Sequence, residues 1–222
     1  GNTVAVKDTT IYVYITAAGP GGGVTDSDVI DYTVTYKGGT ENSKLVMNLA
    51  MKSLTNYFGN WSGEELMDYT VTYGGASQAE ASSTTTLYFY GANKGRAAST
   101  GIVGATAMTA SAVYNGDKTG PATQFTTKNT DLRTRTFYAG FKGEELVNYS
   151  QNYMLARKPD NTFEAKVKDT TIYEYGTGTM SDVMRSTTTY QYGTENSKAV
   201  AGRSKKNYTS YIGYGRGEEI TD

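Results

Sequence analysis

Long stretches of this chain occur twice, and a chain that repeats itself at this length must fold as a set of similar units rather than as one irregular globule. VKDTTIY runs from Val6 to Tyr12 and again from Val167 to Tyr173, and GTENSK from Gly39 to Lys44 and again from Gly193 to Lys198. Asp28–Asp68 aligns with Asp182–Asp222 without a gap, at a constant offset of 154 residues. The VKDTTIY pair sits at an offset of 161. The seven-residue difference falls in the glycine-rich stretch after Tyr14, Gly19-Pro20-Gly21-Gly22-Gly23 included, which reads as a loop insertion. Glycine followed by two glutamates occurs at Gly63, Gly143 and Gly217, spaced by 80 and then 74 residues. The copies are therefore expected at 1–83, at 84–168 in a more divergent form, and at 169–222. A unit of this length holds several strands and needs its neighbours to complete its core. The first Gly-Glu-Glu element is followed by Tyr69-Thr70-Val71-Thr72-Tyr73, whereas the third reaches Asp222 with no such segment after it, and an open strand edge is expected there.

The strands themselves are legible from tyrosine spacing. Tyr12 and Tyr14, Tyr88 and Tyr90, Tyr173 and Tyr175, and Tyr190 and Tyr192 stand two apart, so each pair projects from one face of a strand. Tyr32 and Tyr36, and Tyr69 and Tyr73, stand four apart and also share a face. Paired strands would bring these residues into aromatic ladders that serve packing and assembly, each cross-strand pair contributing roughly 0.2–1 kcal/mol. Glycines at Gly38-Gly39, Gly74-Gly75, Gly91, Gly176 and Gly193 mark the expected turns. Ser43–Phe58 carries a weak helical stripe through Leu45, Leu49 and Ala50, but Leu45, Met47, Leu49 and Met51 alternate, and we read the segment as strand. Ala97–Val113 is rich in small residues and reads as a linker or a closely packed strand pair. The fold expected is all-β: tandem tyrosine-rich antiparallel hairpins forming an extended or spiralling sheet, tube or solenoid-like array.

Composition narrows the chemistry. Without histidine or cysteine, the usual zinc sites, thiol nucleophiles and histidine-based triads are excluded. With 21 basic and 22 acidic residues there is no electrostatic footprint for nucleic acid. No run of about 18 apolar residues occurs and Gly1 opens no signal peptide, so the sequence is expected to be either cytosolic or an already processed or truncated piece.

Thr84-Thr85-Thr86 followed by Tyr88-Phe89-Tyr90-Gly91-Ala92-Asn93-Lys94-Gly95-Arg96 resembles the tyrosine-aspartate (YD) repeats of RHS-type proteins and related toxin shells. Thr170–Gly176, and Thr187–Gly193 with Gly202-Arg203 downstream, are similar. The resemblance implies a long hairpin sheet that spirals into a shell or tube outside the cell. Glycine stands where that family has aspartate, and the unit here is longer.

The candidate sites have plain structural readings. Glu64-Glu65, Glu144-Glu145 and Glu218-Glu219 are paired carboxylates, but neighbours on a strand point to opposite faces and cannot flank one bond, so a turn or inter-strand role is expected. Asp26-Ser27-Asp28 lacks the full ligand pattern of a calcium loop. Ser43-Lys44 and Ser197-Lys198 read as solvated strand residues rather than a Ser-Lys nucleophile. Asn60, Asn148 and Asn207 open N-glycosylation sequons. The reading that follows is a non-enzymatic structural protein with no cofactor and no metal, outside the cell or on its surface. It would assemble with copies of itself through strand edges into a fibre, tube or sheath. The alternatives are an adhesin or carbohydrate-binding segment of a larger surface protein, with glycans as partners, and an RHS-like toxin shell.

Overall fold

The computed structural model describes residues 5–15, 28–74, 82–120, 123–176, 182–213 and 220–221. Its described residues form twelve strands and no helix. The strands are β1 (Asp8–Ile15), β2 (Val29–Lys37), β3 (Met51–Phe58), β4 (Leu66–Tyr73), β5 (Ser82–Tyr90) and β6 (Met108–Asn115), then β7 (Leu132–Ala139), β8 (Leu146–Arg157), β9 (Phe163–Tyr175), β10 (Met184–Gln191), β11 (Lys205–Ile212) and β12 (Ile220–Thr221). Their order in the open antiparallel sheet is their order in the chain, from β1 to β12, so the topology is a succession of hairpins. The all-β hairpin expectation holds.

The chain divides into two units, Gly1–Thr106 with Val113–Phe125, and Ala107–Ala112 with Thr126–Asp222. In the first, Val71, Leu87, Phe89, Tyr90 and Tyr114 are buried, with Phe89 edge-on to Phe125 at 5.4 Å between ring centres. In the second, Leu132, Phe137, Tyr149, Tyr153, Ala165 and Val167 are buried, and Phe137 stacks on Tyr149 at 4.2 Å. Both cores also bury polar groups: Thr85 and Arg96 in the first unit, and Arg135, Gln151 and Thr170 in the second. Arg96 is neutralised by a bidentate pair with Asp68, at 2.6 and 2.7 Å.

Eight of the nine described strand pairings carry a register shift, the exception being the short β11–β12 pair. Seven of the register shifts fall immediately before a tyrosine: Tyr14, Tyr36, Tyr57, Tyr73, Tyr138, Tyr153 and Tyr190. The residue left unpaired on the partner strand is polar each time: Asp31, Lys52, Asp68, Ser83, Asn148, Lys168 and Lys206. None of these is buried. The eighth shift leaves out Arg185 on β10. A bulge re-aims its extra side chain and sharpens the local twist. Lys52 is thereby brought to Asp8 across β2, 2.7 Å away, and Lys206 to Asp169 across β10, 2.8 Å away.

The segment Ser43–Phe58 corrects the sequence reading in its first half. Strand begins only at Met51, and residues 38–50 form a loop with Asn42 and Asn48 in the left-handed region, at φ 56° and 67°. Two left-handed residues six apart break the extended run that the alternation of Leu45, Met47 and Leu49 suggested. Of Ala97–Val113, the first part is turns and the remainder enters β6. The glycine-rich stretch Gly19–Gly23 and Gly75 lie outside the described residues.

Candidate functional site

The features that recur from copy to copy are turn clasps, tyrosine hydroxyls and one loop, and each has a definable physical job. In the β3–β4 turn, Glu65 accepts from Gly63 N at 2.8 Å and from Ile30 N at 3.0 Å. In the β7–β8 turn, Glu145 does the same with Gly143 N and Met108 N, at 2.8 and 3.0 Å. The second glutamate of each element therefore ties its own turn to the start of the strand two earlier, through charge-assisted hydrogen bonds to backbone N–H groups. The first glutamate, Glu64 or Glu144, is exposed. The two adjacent carboxylates of an element therefore have different surroundings. Gly217-Glu218-Glu219 lies outside the described residues.

Four of the tyrosines read as packing residues, Tyr88, Tyr90, Tyr173 and Tyr175, hydrogen-bond through their hydroxyls. Tyr88 on β5 shares a hydrogen bond with Thr70 on β4 at 3.2 Å, and Tyr173 on β9 one with Ser150 on β8 at 3.5 Å. Tyr90 donates to Met67 O at 2.7 Å, and Tyr175 to Val147 O at 2.9 Å. Both β5 and β9 thus direct two tyrosines onto the strand before them. Tyr12 and Tyr14 hold the same places on β1, and Tyr12 is 55% exposed. Tyr32, Tyr36, Tyr69, Tyr73 and Tyr190 are half-buried, while Tyr192 is exposed in the turn after β10 with φ 65°. Burial first, and then the Asp68 and Asp117 charges, raises the Tyr69 hydroxyl pKa, while burial and Asp117 raise that of Tyr73.

The two GTENSK loops have the same conformation. Asn42 and Asn196 have φ 56° and 57°, and Gly39 and Gly193 have φ 145° and 157°. Ser43 N donates to Thr40 O and Ser197 N to Thr194 O, both at 3.1 Å. Gly38 N donates to Lys7 O at 2.7 Å and Tyr192 N to Lys168 O at 2.8 Å. A Cβ on Gly39 or Gly193 would collide with Thr9 or Thr170 Oγ1. The serines accept from Leu45 N and Ala199 N, so Ser43 and Ser197 are turn residues and not the strand residues that the sequence suggested.

What differs is the surroundings. The second loop lies on Gln151, which is fully buried on β8. Gln151 Nε2 donates to Thr194 O at 2.8 Å and Ser197 O at 3.1 Å, while its Oε1 accepts from Asn196 N at 2.9 Å. Arg135 on β7, also buried, donates to Asn196 Oδ1 at 2.8 Å and Glu195 Oε1 at 3.1 Å, and Lys128 pairs with Glu195 at 2.7 Å. The sequence analysis missed this network; the signal available was a Gln in the middle of β8 and an Arg at the matching place on β7. Around the first loop, Thr40, Glu41 and Asn42 are exposed. Among the described residues, no side chain takes the places of Gln151 and Arg135 there.

Of the sequon asparagines, Asn60 is exposed at the β3–β4 turn, Asn207 is exposed on β11, and Asn148 is the half-buried bulge residue of β8, 3.5 Å from Lys198 Nζ. Beside Asn60, Trp61 is 71% exposed next to a cavity of about 230 Å³ lined by Phe58, Asn60, Glu64, Ile102 and Val103. Asp28 is buried, and Asp26 and Ser27 lie outside the described residues. Among the described residues no cluster of three or more acidic side chains could hold a metal ion, and no helix is long and apolar enough to cross a membrane. No family model, curated protein or solved structure matches the chain.

Proposed function

We propose that this is a non-enzymatic extracellular structural repeat protein, a subunit or segment of a self-assembling fibre, tube or sheath. The observation that carries the reading is that the β4–β5 and β8–β9 junctions use the same device, two tyrosine hydroxyls laid on the preceding strand. A device that joins one four-stranded stretch to the next can be reused without limit, and open addition of this kind gives a filament. The YD-like segments at Tyr88–Arg96 and Thr170–Gly176 support the same architecture, with a tube or closed RHS-like shell as its spiralled form. Sedimentation velocity over a wide concentration range tests it. Species that grow with concentration are expected; a stable monomer at the highest concentration contradicts it.

A second reading has its own observation. Exposed Trp61 beside the Asn60 amide and the Glu64 carboxylate offers an aromatic platform with polar groups at its rim, an arrangement suited to a sugar ring. Glycan binding by a monomer, lost on Trp61→Ala, would favour an adhesin or carbohydrate-binding segment.

A further inference from the structure

We propose that the side of β1 turned away from β2, which no strand among the described residues pairs with, forms together with the loop Thr40–Ser43 a docking site for a β-hairpin of the β7–β8 type. Such a hairpin has an edge strand that carries Gln opposite Thr9 and a next strand that carries Arg beside that Gln. This deepens the assembly reading by naming what the edge accepts, and it rests on that reading only for its biological setting.

The two copies share these groups but differ in what surrounds them. Thr9, Tyr12 and Tyr14 on β1 correspond to Thr170, Tyr173 and Tyr175 on β9, and Thr40, Glu41, Asn42 and Ser43 to Thr194, Glu195, Asn196 and Ser197. On β9 these groups are met: Gln151 pairs with Thr170 in the β8–β9 register, Ser150 reaches the Tyr173 hydroxyl, and Val147 O accepts from Tyr175. Gln151 then reads the loop backbone at three points and Arg135 reads its Glu and Asn side chains. The first copy presents the same hexapeptide in the same conformation without those partners among the described residues, so the loop shape does not depend on them. A preshaped site binds without an ordering cost, and an exposed strand edge is completed by adding a strand.

The β4–β5 junction shows that the match is selective. There Val71 stands in the register position of Gln151 and Leu54 in that of Arg135. The loop after β6 has no GTENSK: Thr85 Oγ1 instead donates to Gly116 O and accepts from Lys118 N. Gln and Arg accompany the second GTENSK loop, and apolar residues stand in their places at the junction that has no such loop.

The test inserts a second copy of residues 84–166 directly ahead of Val6 in the otherwise unchanged chain, which recreates the sequence around the β8–β9 junction in front of β1. Hydrogen exchange is read at β1 and at Asn42. Docking is expected to slow the outward-facing β1 amides and Asn42 by at least about tenfold, equivalent to roughly 1.4 kcal/mol. Protection at the native Gln151–Thr170 pairing in the same molecule reports that the extended chain is folded. With Arg135→Leu and Gln151→Val placed only in the added copy, the protection of Asn42 is expected to be lost. Unchanged exchange at β1 in a folded extended chain would overturn the docking site, and equal protection of Asn42 by the substituted copy would overturn the recognition by Gln and Arg. Absence of filaments would count against the assembly reading alone, because docking is measured within one chain.

Discussion

Replacing Gln151 by Leu isolates the energy with which a repeated loop is held. The side chain is fully buried and makes three well-formed hydrogen bonds to the loop, with Thr194 O, Ser197 O and Asn196 N, and two longer ones, with Thr170 Oγ1 at 3.3 Å and the Tyr153 hydroxyl at 3.5 Å. Leu keeps most of the volume, so the cavity contribution is small. Each neutral hydrogen bond contributes about 0.5–1.5 kcal/mol net, and an orphaned buried partner costs more. The loop residues are themselves exposed or half-buried and can turn to water, which limits the penalty. Together these give a loss of about 2–3 kcal/mol in urea unfolding, accompanied by faster exchange at the Asn196 amide. The Asn42 amide, which has no Gln partner, should be unaffected. A loss below about 0.5 kcal/mol, or an Asn196 amide that exchanges as before, would refute the assignment of the loop to Gln151.

The other expectations concern the repeated devices. Glu65→Ala or Glu145→Ala should cost roughly 1.5–3 kcal/mol per charge-assisted clasp, whereas Glu64→Ala or Glu144→Ala should stay within about 0.5 kcal/mol; thermal unfolding of the four variants separates the adjacent glutamates. Gly39→Ala and Gly193→Ala place a Cβ on Thr9 or Thr170 at a φ that L residues rarely adopt, and each should lose at least about 1–3 kcal/mol. Tyr90→Phe and Tyr175→Phe should each cost about 1 kcal/mol, and Tyr12→Phe nothing measurable unless a strand is added to β1. Burial pushes the Tyr149 and Tyr153 hydroxyls up to about 12, with the Arg135 charge opposing the rise at Tyr153. Their pKa is raised on folding, so this contribution is complete below pH 10 and is lost as the pH climbs towards 12. The loss is at most about 1.4 kcal/mol per pH unit for each tyrosine, and phenolate absorbance should rise together with unfolding.

The fold class was legible because tyrosines two apart and glycine-marked turns are local signals, and β5 and β9 stand where Tyr88/Tyr90 and Tyr173/Tyr175 put them. The repeated structural role of the Gly-Glu-Glu element was legible from its spacing, but the separate tasks of its two glutamates were not. Glu65 finds Ile30 N through a strand that lies 35 residues away in sequence. The bulges were hidden for a similar reason: a register shift belongs to a pair of strands, and no single strand reveals it. The same distance hid the difference between the two GTENSK loops. Six identical residues impose one loop shape, while Gln151 and Arg135 come from β8 and β7, some 45 and 60 residues earlier.

Electron microscopy of the native material, with classification for helical order, tests self-assembly through strand edges most directly. Regular β-rich filaments or tubes with a constant axial repeat are expected, with density for a strand against β1. Discrete, unassociated particles at every concentration would contradict it and shift the weight to a binding module centred on Trp61.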